Sequence, residues 1–370
     1  MTLTSKPLRQ NGYEGAKRSA SPLKDRDWVA EVYGENDMAS GKIVTLDHDS
    51  KVLKGNPLGD PALRKLPVYL PPNYNRRLNK RYPVVWVLSP FASWGERLLN
   101  LQPWDENIVQ RADRLISNGG LEPLILAFPD CFSKYGGTQY VDSSATGRYE
   151  TYLIDELIPL VDNEFRTLPS PAHRGAMGHS SGGYGALMLA MNNSDTFGAV
   201  ACHSGDMMFE QCYWPDIPGA VRFWAAVGGI NRFMSTFSTV HDKGKDWGSA
   251  LNIVAMSACY SPNPDSPLGF DLICDTHTGE VNPAVWERWQ QYDPIRSVGK
   301  HIGALRTLRK LYFDCGFRDE YNLFLGARAL HQQLEHAAVP HDYLEFDGGH
   351  NRVNWRFDIS LPLIASALSR

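Results

Sequence analysis

Gly178-His179-Ser180-Ser181-Gly182-Gly183-Tyr184-Gly185-Ala186 is the stretch from which the rest of the chain can be read. It contains the pattern G-x-S-x-G. Arg174-Gly175-Ala176-Met177 before it reads as a short strand, and Ala186 to Met191 after it as a helix. That setting makes a sharp strand-to-helix turn, which lifts a serine hydroxyl above the edge of a sheet. Gly178 and Gly182 let the backbone close the turn without side-chain clashes. The start of the following helix offers N–H groups and a positive dipole end to a developing oxyanion. The plain alternative is a Gly/Ser-rich turn with no chemistry, and the flanking strand and helix argue against it. Ser180 is therefore the candidate nucleophile.

A serine hydroxyl needs a base, and the base needs an orienting acid. With a G-x-S-x-G serine, the acid and then the histidine follow in chain order. Leu311 to Glu320 reads as a strand running into a turn that carries Asp319 and Glu320. Tyr343 to His350 reads as a second strand running into Gly348-Gly349-His350. These positions predict His350 as the base and Asp319 as the acid, with Glu320 and Asp314 as rivals. Asp314 lies on the strand itself and fits a buried structural carboxylate better. His179 and His203 are expected to line the pocket, as is Tyr184 within the motif.

Outward from the motif, the chain alternates buried-strand and helix patterns. Strand-like runs occur at 41–46, 66–70, 83–88, 123–128, 198–202 and 311–313. Tyr149 to Phe165 carries Leu153, Leu157, Ile158 and Val161 at helical spacing. Near-continuous apolar strands separated by helices predict an α/β fold with a mostly parallel sheet covered on both faces. Ligands of such sheets bind at the carboxyl ends of the strands. Residues 1–40 lack lasting periodicity and are expected to form an irregular arm, with the main domain over 41–370.

Composition narrows the function class. The 370 residues are 43% hydrophobic and carry a net charge of −4 without a sustained basic face, which argues against nucleic acid as a partner. No apolar run approaches the ~18 residues of a membrane helix. The first residues lack a signal-peptide pattern. The six cysteines include no C-x-x-C pair, so free thiols in a reducing, cytoplasmic setting are expected. No His/Cys/carboxylate cluster shows ligand spacing, so neither metal nor cofactor is expected. The sequence is compatible with a homo-oligomer.

The chain resembles the putative-esterase family of α/β-hydrolases, which includes S-formylglutathione hydrolases, enterochelin esterases, feruloyl esterases and mycolyltransferases. The resemblance is carried by Val68 to Tyr74, Arg81 to Val85, Asp155 to Pro159, Gly178 to Ala186, Gly316-x-x-Asp319, and Gly348-Gly349-His350 with Trp355. It implies an α/β-hydrolase fold and places nucleophile, acid and base on Ser180, Asp319 and His350. It also implies an oxyanion hole from the Ser181 amide and, by position, the Phe91 amide. Where the family has His-Gly, this chain has Ser89-Pro90-Phe91, and Pro90 fixes φ and lacks a donor.

From Ser180 to Asp319 the chain is about twice as long as two further βα units of ~30 residues each require. The excess predicts an insertion over about 207–302, rich in aromatic residues. Most of these rings would form the core of a subdomain. The sharper expectation is a cap over the serine, with Trp214, Trp224 and Trp247 facing substrate. The expected activity is hydrolysis of a small carboxylic ester with an aromatic or bulky apolar group through an acyl-enzyme. Acyl transfer by the same residues and a noncatalytic hydrolase-fold binding protein are the alternatives. Base catalysis by His350 further implies activity that rises with pH as its imidazole loses a proton.

Overall fold

The computed structural model describes residues 40–241 and 243–369. The arm expected over 1–40 lies outside them except for Ser40. An eight-stranded sheet runs in the order β1-β2-β4-β3-β7-β8-β9-β10. Its strands are β1 (Lys42–Asp49), β2 (Leu63–Leu70), β3 (Val84–Leu88), β4 (Ile125–Ala127), β7 (Arg174–His179), β8 (Ala199–His203), β9 (Lys310–Gly316) and β10 (Asp342–Phe346). β5 (Asp142–Ser143) and β6 (Gly147–Arg148) form a separate two-stranded pair. β2 runs antiparallel to both of its neighbours, and all pairs from β4 to β10 are parallel.

Burial explains why the sequence signal was clear in the middle and weak at the edges. Every residue of β3, β4 and β8 is buried, as in a sheet covered on both faces. The edge strands β1 and β10 mix half-buried and exposed positions. Alternate residues of the central strands enter opposite cores. Val84, Trp86 and Leu88 face one core, and Val85 and Val87 the other.

The second core is closed by α1 (Ile108–Ser117), through Ile108, Ala112 and Leu115, and by the C-terminal helix Phe357–Leu368, through Phe357, Leu361 and Ile364. Apolar positions at i, i+4 and i+7 give that C-terminal helix the stripe it needs to lie flat on the sheet. The first core is closed by α2 (Ser181–Asn192), whose residues Ser181 to Met191 are all buried. The helix expected over 149–165 forms with an interruption. A π-helical stretch over Tyr152–Leu157 precedes Ile158–Glu164. Pro159 cannot donate to a carbonyl one turn back, so the ladder shifts register just before it.

Between β8 and β9 the chain folds into helices, among them α3 (Ile217–Val227), α4 (Lys245–Tyr260) and α5 (Pro294–Thr307). The expected insertion boundary near 302 falls inside α5. His301 on that helix bonds the Met191 carbonyl at the end of α2 (2.9 Å), so α5 belongs with the cover of the sheet. All six cysteines are buried free thiols. Among the described residues no helix is long and apolar enough to cross a membrane.

Parallel register aligns the strand ends that matter. Leu88 pairs with Gly178, His179 with His203, His203 with Asp314, and Gly316 with Phe346. The loops that follow these strands therefore meet along one edge. Below that edge lies a buried charge network. Asp314 accepts from the His203 ring (2.7 Å), from Tyr312 Oη (2.6 Å) and from Arg356 Nε (2.7 Å). His203 does not line a pocket: it is fully enclosed, and its other ring nitrogen meets Ser360 Oγ at 2.9 Å. Burial alone would raise the Asp314 carboxyl, but His203 and Arg356 outweigh it and hold it below the usual range.

Removing one partner of a buried ion pair costs about 3–5 kcal/mol, whereas exposed pairs contribute under ~1 kcal/mol. Asp314→Asn should therefore lower unfolding free energy by about 3–5 kcal/mol in urea titrations. Glu345→Gln, which breaks the exposed pair with Arg328, should cost less than ~1 kcal/mol. Because the Asp314 value is depressed in the folded chain, its contribution is present above about pH 4 and is withdrawn as the pH falls further. Equal losses for the two variants at pH 7 would contradict this account.

Candidate active site

Ser180 sits at the turn between β7 and α2 with φ 57° and ψ −128°, a left-handed backbone that a side-chain-bearing residue adopts only at a cost. The surroundings enforce it. A Cβ added to Gly182 would lie 2.1 Å from the Leu88 carbonyl oxygen, and one on Gly178 would lie 2.4 Å from Gly182 backbone. The two glycines thus let α2 start directly against the end of β3. The Ser180 amide donates to the His203 carbonyl (2.9 Å), fixing the turn to β8.

The first hydrogen bond of α2 runs from the Tyr184 amide to the Ser180 carbonyl (2.9 Å). The amides of Ser181, Gly182 and Gly183 precede it and have no intrahelical acceptor. The chain after β3 turns through Pro90, Phe91 and Ala92, with φ 56° at Ala92. The Ala92 amide is spent on the Gly136 carbonyl (2.7 Å). The Phe91 ring lies over Gly136 and Gly137, where added Cβ atoms would approach it to 3.0 Å.

The structure brings Ser180, His350 and Asp319 together. His350 Nε2 lies 2.9 Å from Ser180 Oγ, and His350 Nδ1 lies 2.7 Å from Asp319 Oδ2. Asp319 is 3% exposed and also accepts from the Tyr321 amide (2.9 Å). Glu320 points elsewhere: its Oε2 accepts from the His350 backbone amide (2.7 Å). The two adjacent carboxylates thus hold different parts of one residue, Asp319 the imidazole and Glu320 the main chain. This close fit uses Gly349, where a Cβ would meet the Glu320 carboxylate at 2.7 Å. The loops after β9 and β10 are further joined by the Phe317 amide to the Phe346 carbonyl and the Arg318 amide to the Gly348 carbonyl, each 3.0 Å.

Two rings flank the His350 imidazole. His179, at the end of β7, lies 4.6 Å from it, and Tyr321 meets it edge-on at 4.7 Å. Burial, reinforced by His350 and His203, pushes His179 well below its ordinary value, so this neighbour stays neutral. Tyr321 is 46% exposed and rims the site.

The expected substrate residues separate clearly. Tyr184 is wholly buried and donates its hydroxyl to the Tyr292 carbonyl (3.0 Å), so it packs the core. Trp224 is also fully buried. Trp247 packs against the core and donates Nε1 to the Phe237 carbonyl (3.0 Å). Tyr184 lies on a helix buried on all sides, and the helices of Trp224 and Trp247 turn these rings towards the core. Trp214 alone of the three tryptophans is exposed, against Trp286 at 5.1 Å. The short helix Phe209–Cys212 before it is tied to the loop after β9, where Asn322 Nδ2, next to Tyr321, donates to the Gln211 carbonyl (3.2 Å).

Sequence reasoning missed Asp206. This nearly buried carboxylate accepts from Gln139 Nε2 (2.8 Å), Tyr213 Oη (3.0 Å) and Ser181 Oγ (3.2 Å). Burial raises its proton affinity despite these donors. Its place three residues beyond β8, at the carboxyl edge, was the available signal. It links Tyr213, in the segment between β8 and β9, to the residue after Ser180. Sequence reasoning also found no cluster with metal-ligand spacing, yet the fold gathers His331, Glu335 and His341, with ligand atoms within 4.8 Å of one another.

Known proteins share this architecture. An endo-1,4-beta-xylanase/feruloyl esterase of Xylanibacter ruminicola is 30% identical over 146 residues, covering 37% of this chain and 19% of that protein. An esterase of Mycobacterium tuberculosis is 25% identical over 230 residues, covering 62% of this chain and 42% of its own. The matches thus span less than half the length of these curated relatives. A solved ferulic acid esterase has the same fold, with a TM-score of 0.57 at 22% identity over 89% of this chain and 99% of its own. Residues 62–364 match the family described as putative esterase. With its mostly parallel eight-stranded sheet and its serine turn at the sheet's carboxyl edge, the chain belongs to that family and has the α/β-hydrolase fold.

Proposed function

We propose that the chain is a serine carboxylic-ester hydrolase working through an acyl-enzyme. The observation that carries this reading is the continuous hydrogen-bonded line from Asp319 through His350 to Ser180, ending at a half-exposed hydroxyl on a strained turn. His350 Nε2 takes the Ser180 proton as Oγ attacks the ester carbonyl. Asp319 holds the proton on Nδ1 and steadies the imidazolium that forms. The amides of Ser181 and Phe91 receive the oxyanion, where preorganised donors act most strongly. His350 then protonates the leaving alcohol, and a water molecule, deprotonated by the same nitrogen, releases the acid.

The helices between β8 and β9 act in this reading as a cap over one side of the site, with Trp214 of the cap and Tyr321 of the loop after β9 as exposed aromatic walls. Their support is position: Tyr213 reaches Asp206, and Gln211 is tied to the loop of Tyr321. Such walls favour an ester with an aromatic or bulky apolar group.

Three measurements test the proposal. Ser180→Ala should lose about 10⁴-fold or more in kcat and should no longer be labelled by a fluorophosphonate. Wild-type turnover in that variant would overturn the nucleophile assignment. Asp319→Asn should lower kcat by about 10³–10⁴-fold, because the amide stabilises the wrong imidazole tautomer. Glu320→Gln retains an acceptor for the His350 amide and should lose less than about tenfold; the reverse ranking would move the acid. Trp214→Ala should lower kcat/KM for aryl esters relative to acetyl esters. Roughly 50 Å² of lost burial at about 25 cal/mol per Å² is about 1.3 kcal/mol, close to tenfold. An unchanged ratio would remove Trp214 from the substrate wall.

A further inference from the structure

His331 and Glu335 lie four residues apart on α6 (Leu323–His336) and so share one face of its last turns. The chain then reverses. The Val339 amide returns to the Leu334 carbonyl (2.9 Å), the Ala338 amide to Glu335 (3.0 Å), and Ala338 takes φ 49°. This tight turn delivers His341 beneath the same helical face, one residue before β10. His331 Nδ1 and His341 Nε2 face each other at 2.8 Å, and Glu335 Oε1 lies 3.8 Å from the latter.

Both imidazoles are held in place. His341 Nδ1 donates to the Val339 carbonyl (2.7 Å), so the neutral ring carries its proton there and turns the Nε2 lone pair into the cluster. Its ring stacks on Phe313 at 5.6 Å, and His331 stacks on Tyr343 at 4.8 Å. A ligand nitrogen with its other nitrogen bonded to a backbone carbonyl is the arrangement that supports a metal-bound histidine. The Glu335 side chain is 65% exposed and free to swing inward.

We propose that His331, Glu335 and His341 form a binding site for a divalent transition metal of the zinc class. Two imidazoles and one carboxylate suit such an ion and leave one position for water. Calcium and magnesium prefer all-oxygen sites. With nitrogen ligands at about 2.0–2.1 Å, a tetrahedral ion holds them roughly 3.3 Å apart. The observed pair would open by about half an ångström, through the half-buried His331. In the metal-free pair His331 Nδ1 holds the shared proton. On binding, that proton moves to Nε2 of the same ring through solvent, the Nδ1 lone pair meets the metal, and no proton is released overall.

The ion would clamp the end of α6 to the start of β10. That is the edge of the sheet opposite the serine, since β10 at ~3.3 Å per residue spans about 17 Å before the loop to His350 begins. The site thus serves stability, and ester hydrolysis does not pass through it.

The test uses the full-length, tag-free chain stripped with chelator and titrated with zinc chloride by calorimetry and thermal unfolding. Wild type should bind one equivalent and gain about 3 °C in Tm at a hundredfold excess over Kd. Cobalt(II) at the same site should give the visible absorption of a four-coordinate ion. Glu335→Gln, at an exposed position, and His331→Gln should each weaken zinc at least tenfold and cut the Tm gain at the same zinc concentration to about half or less. His277→Gln, an exposed histidine elsewhere, should leave both unchanged. Hydrolysis of a simple aryl acetate should not differ between stripped and loaded wild type. Absent binding, or binding undiminished in both Glu335→Gln and His331→Gln, overturns the proposal.

Discussion

The approach of α2 to the end of β3 is the constraint on which the site depends. The Leu88 carbonyl stands where a Cβ on Gly182 would be, so the helix begins closer to the sheet than any larger residue permits. That closeness leaves no room for a relaxed turn between β7 and α2, and Ser180 takes the left-handed backbone as a result. The strain has a use. It projects Oγ away from the sheet and leaves the first helical amides without carbonyl partners. Donors that are already oriented cost nothing to reorganise when negative charge develops beside them.

A second layer fixes what the first cannot. Ser180 comes from β7, Asp319 follows β9, and His350 follows β10, so their mutual distances depend on strand register. The Asp314 network ties β8, β9 and the C-terminal helix together beneath them. Above it, Glu320 holds the His350 main chain, and paired amides join the loops after β9 and β10. The imidazole is therefore positioned from three sides, by its backbone, by Asp319 and by the rings of His179 and Tyr321.

How much of this was legible depended on whether the information was local. The Gly178–Ala186 turn could be read because its glycines answer to contacts made within a few residues, and the central strands because both faces are buried. The boundary expected near 302 could not, because α5 is placed by its contact with α2, which no local spacing encodes. Asp319 and Glu320 are neighbours with the same charge, and only the three-dimensional path of the Gly348-Gly349-His350 loop gives them separate partners. The expectation that Trp224 and Tyr184 face substrate rests on their being aromatic, one in the expected insertion and one in the serine motif, and core rings share that property. Asp206 and the His331–Glu335–His341 cluster join residues whose spacing carries no pattern until the chain has folded back.

The structure also contains an internal comparison. Ser360 Oγ, His203 and Asp314 are linked at 2.9 and 2.7 Å, the same distances as Ser180, His350 and Asp319. Residue types and spacing therefore do not by themselves make a reactive centre. Ser360 is wholly buried within the helix Phe357–Leu368, whereas Ser180 is half-buried on a strained turn. Asp314 already faces the Arg356 guanidinium, so part of its charge is spent on a fixed cation. Among the described residues Asp319 faces no such cation: its side-chain donors are the imidazole, the Tyr321 amide and the weak Cys315 thiol. In the proposed mechanism its charge is the one that would steady the imidazolium. Solvent access, a strained backbone and a carboxylate without a fixed cation separate the two triads, and on these three grounds the proposed chemistry is assigned to Ser180 and not to Ser360.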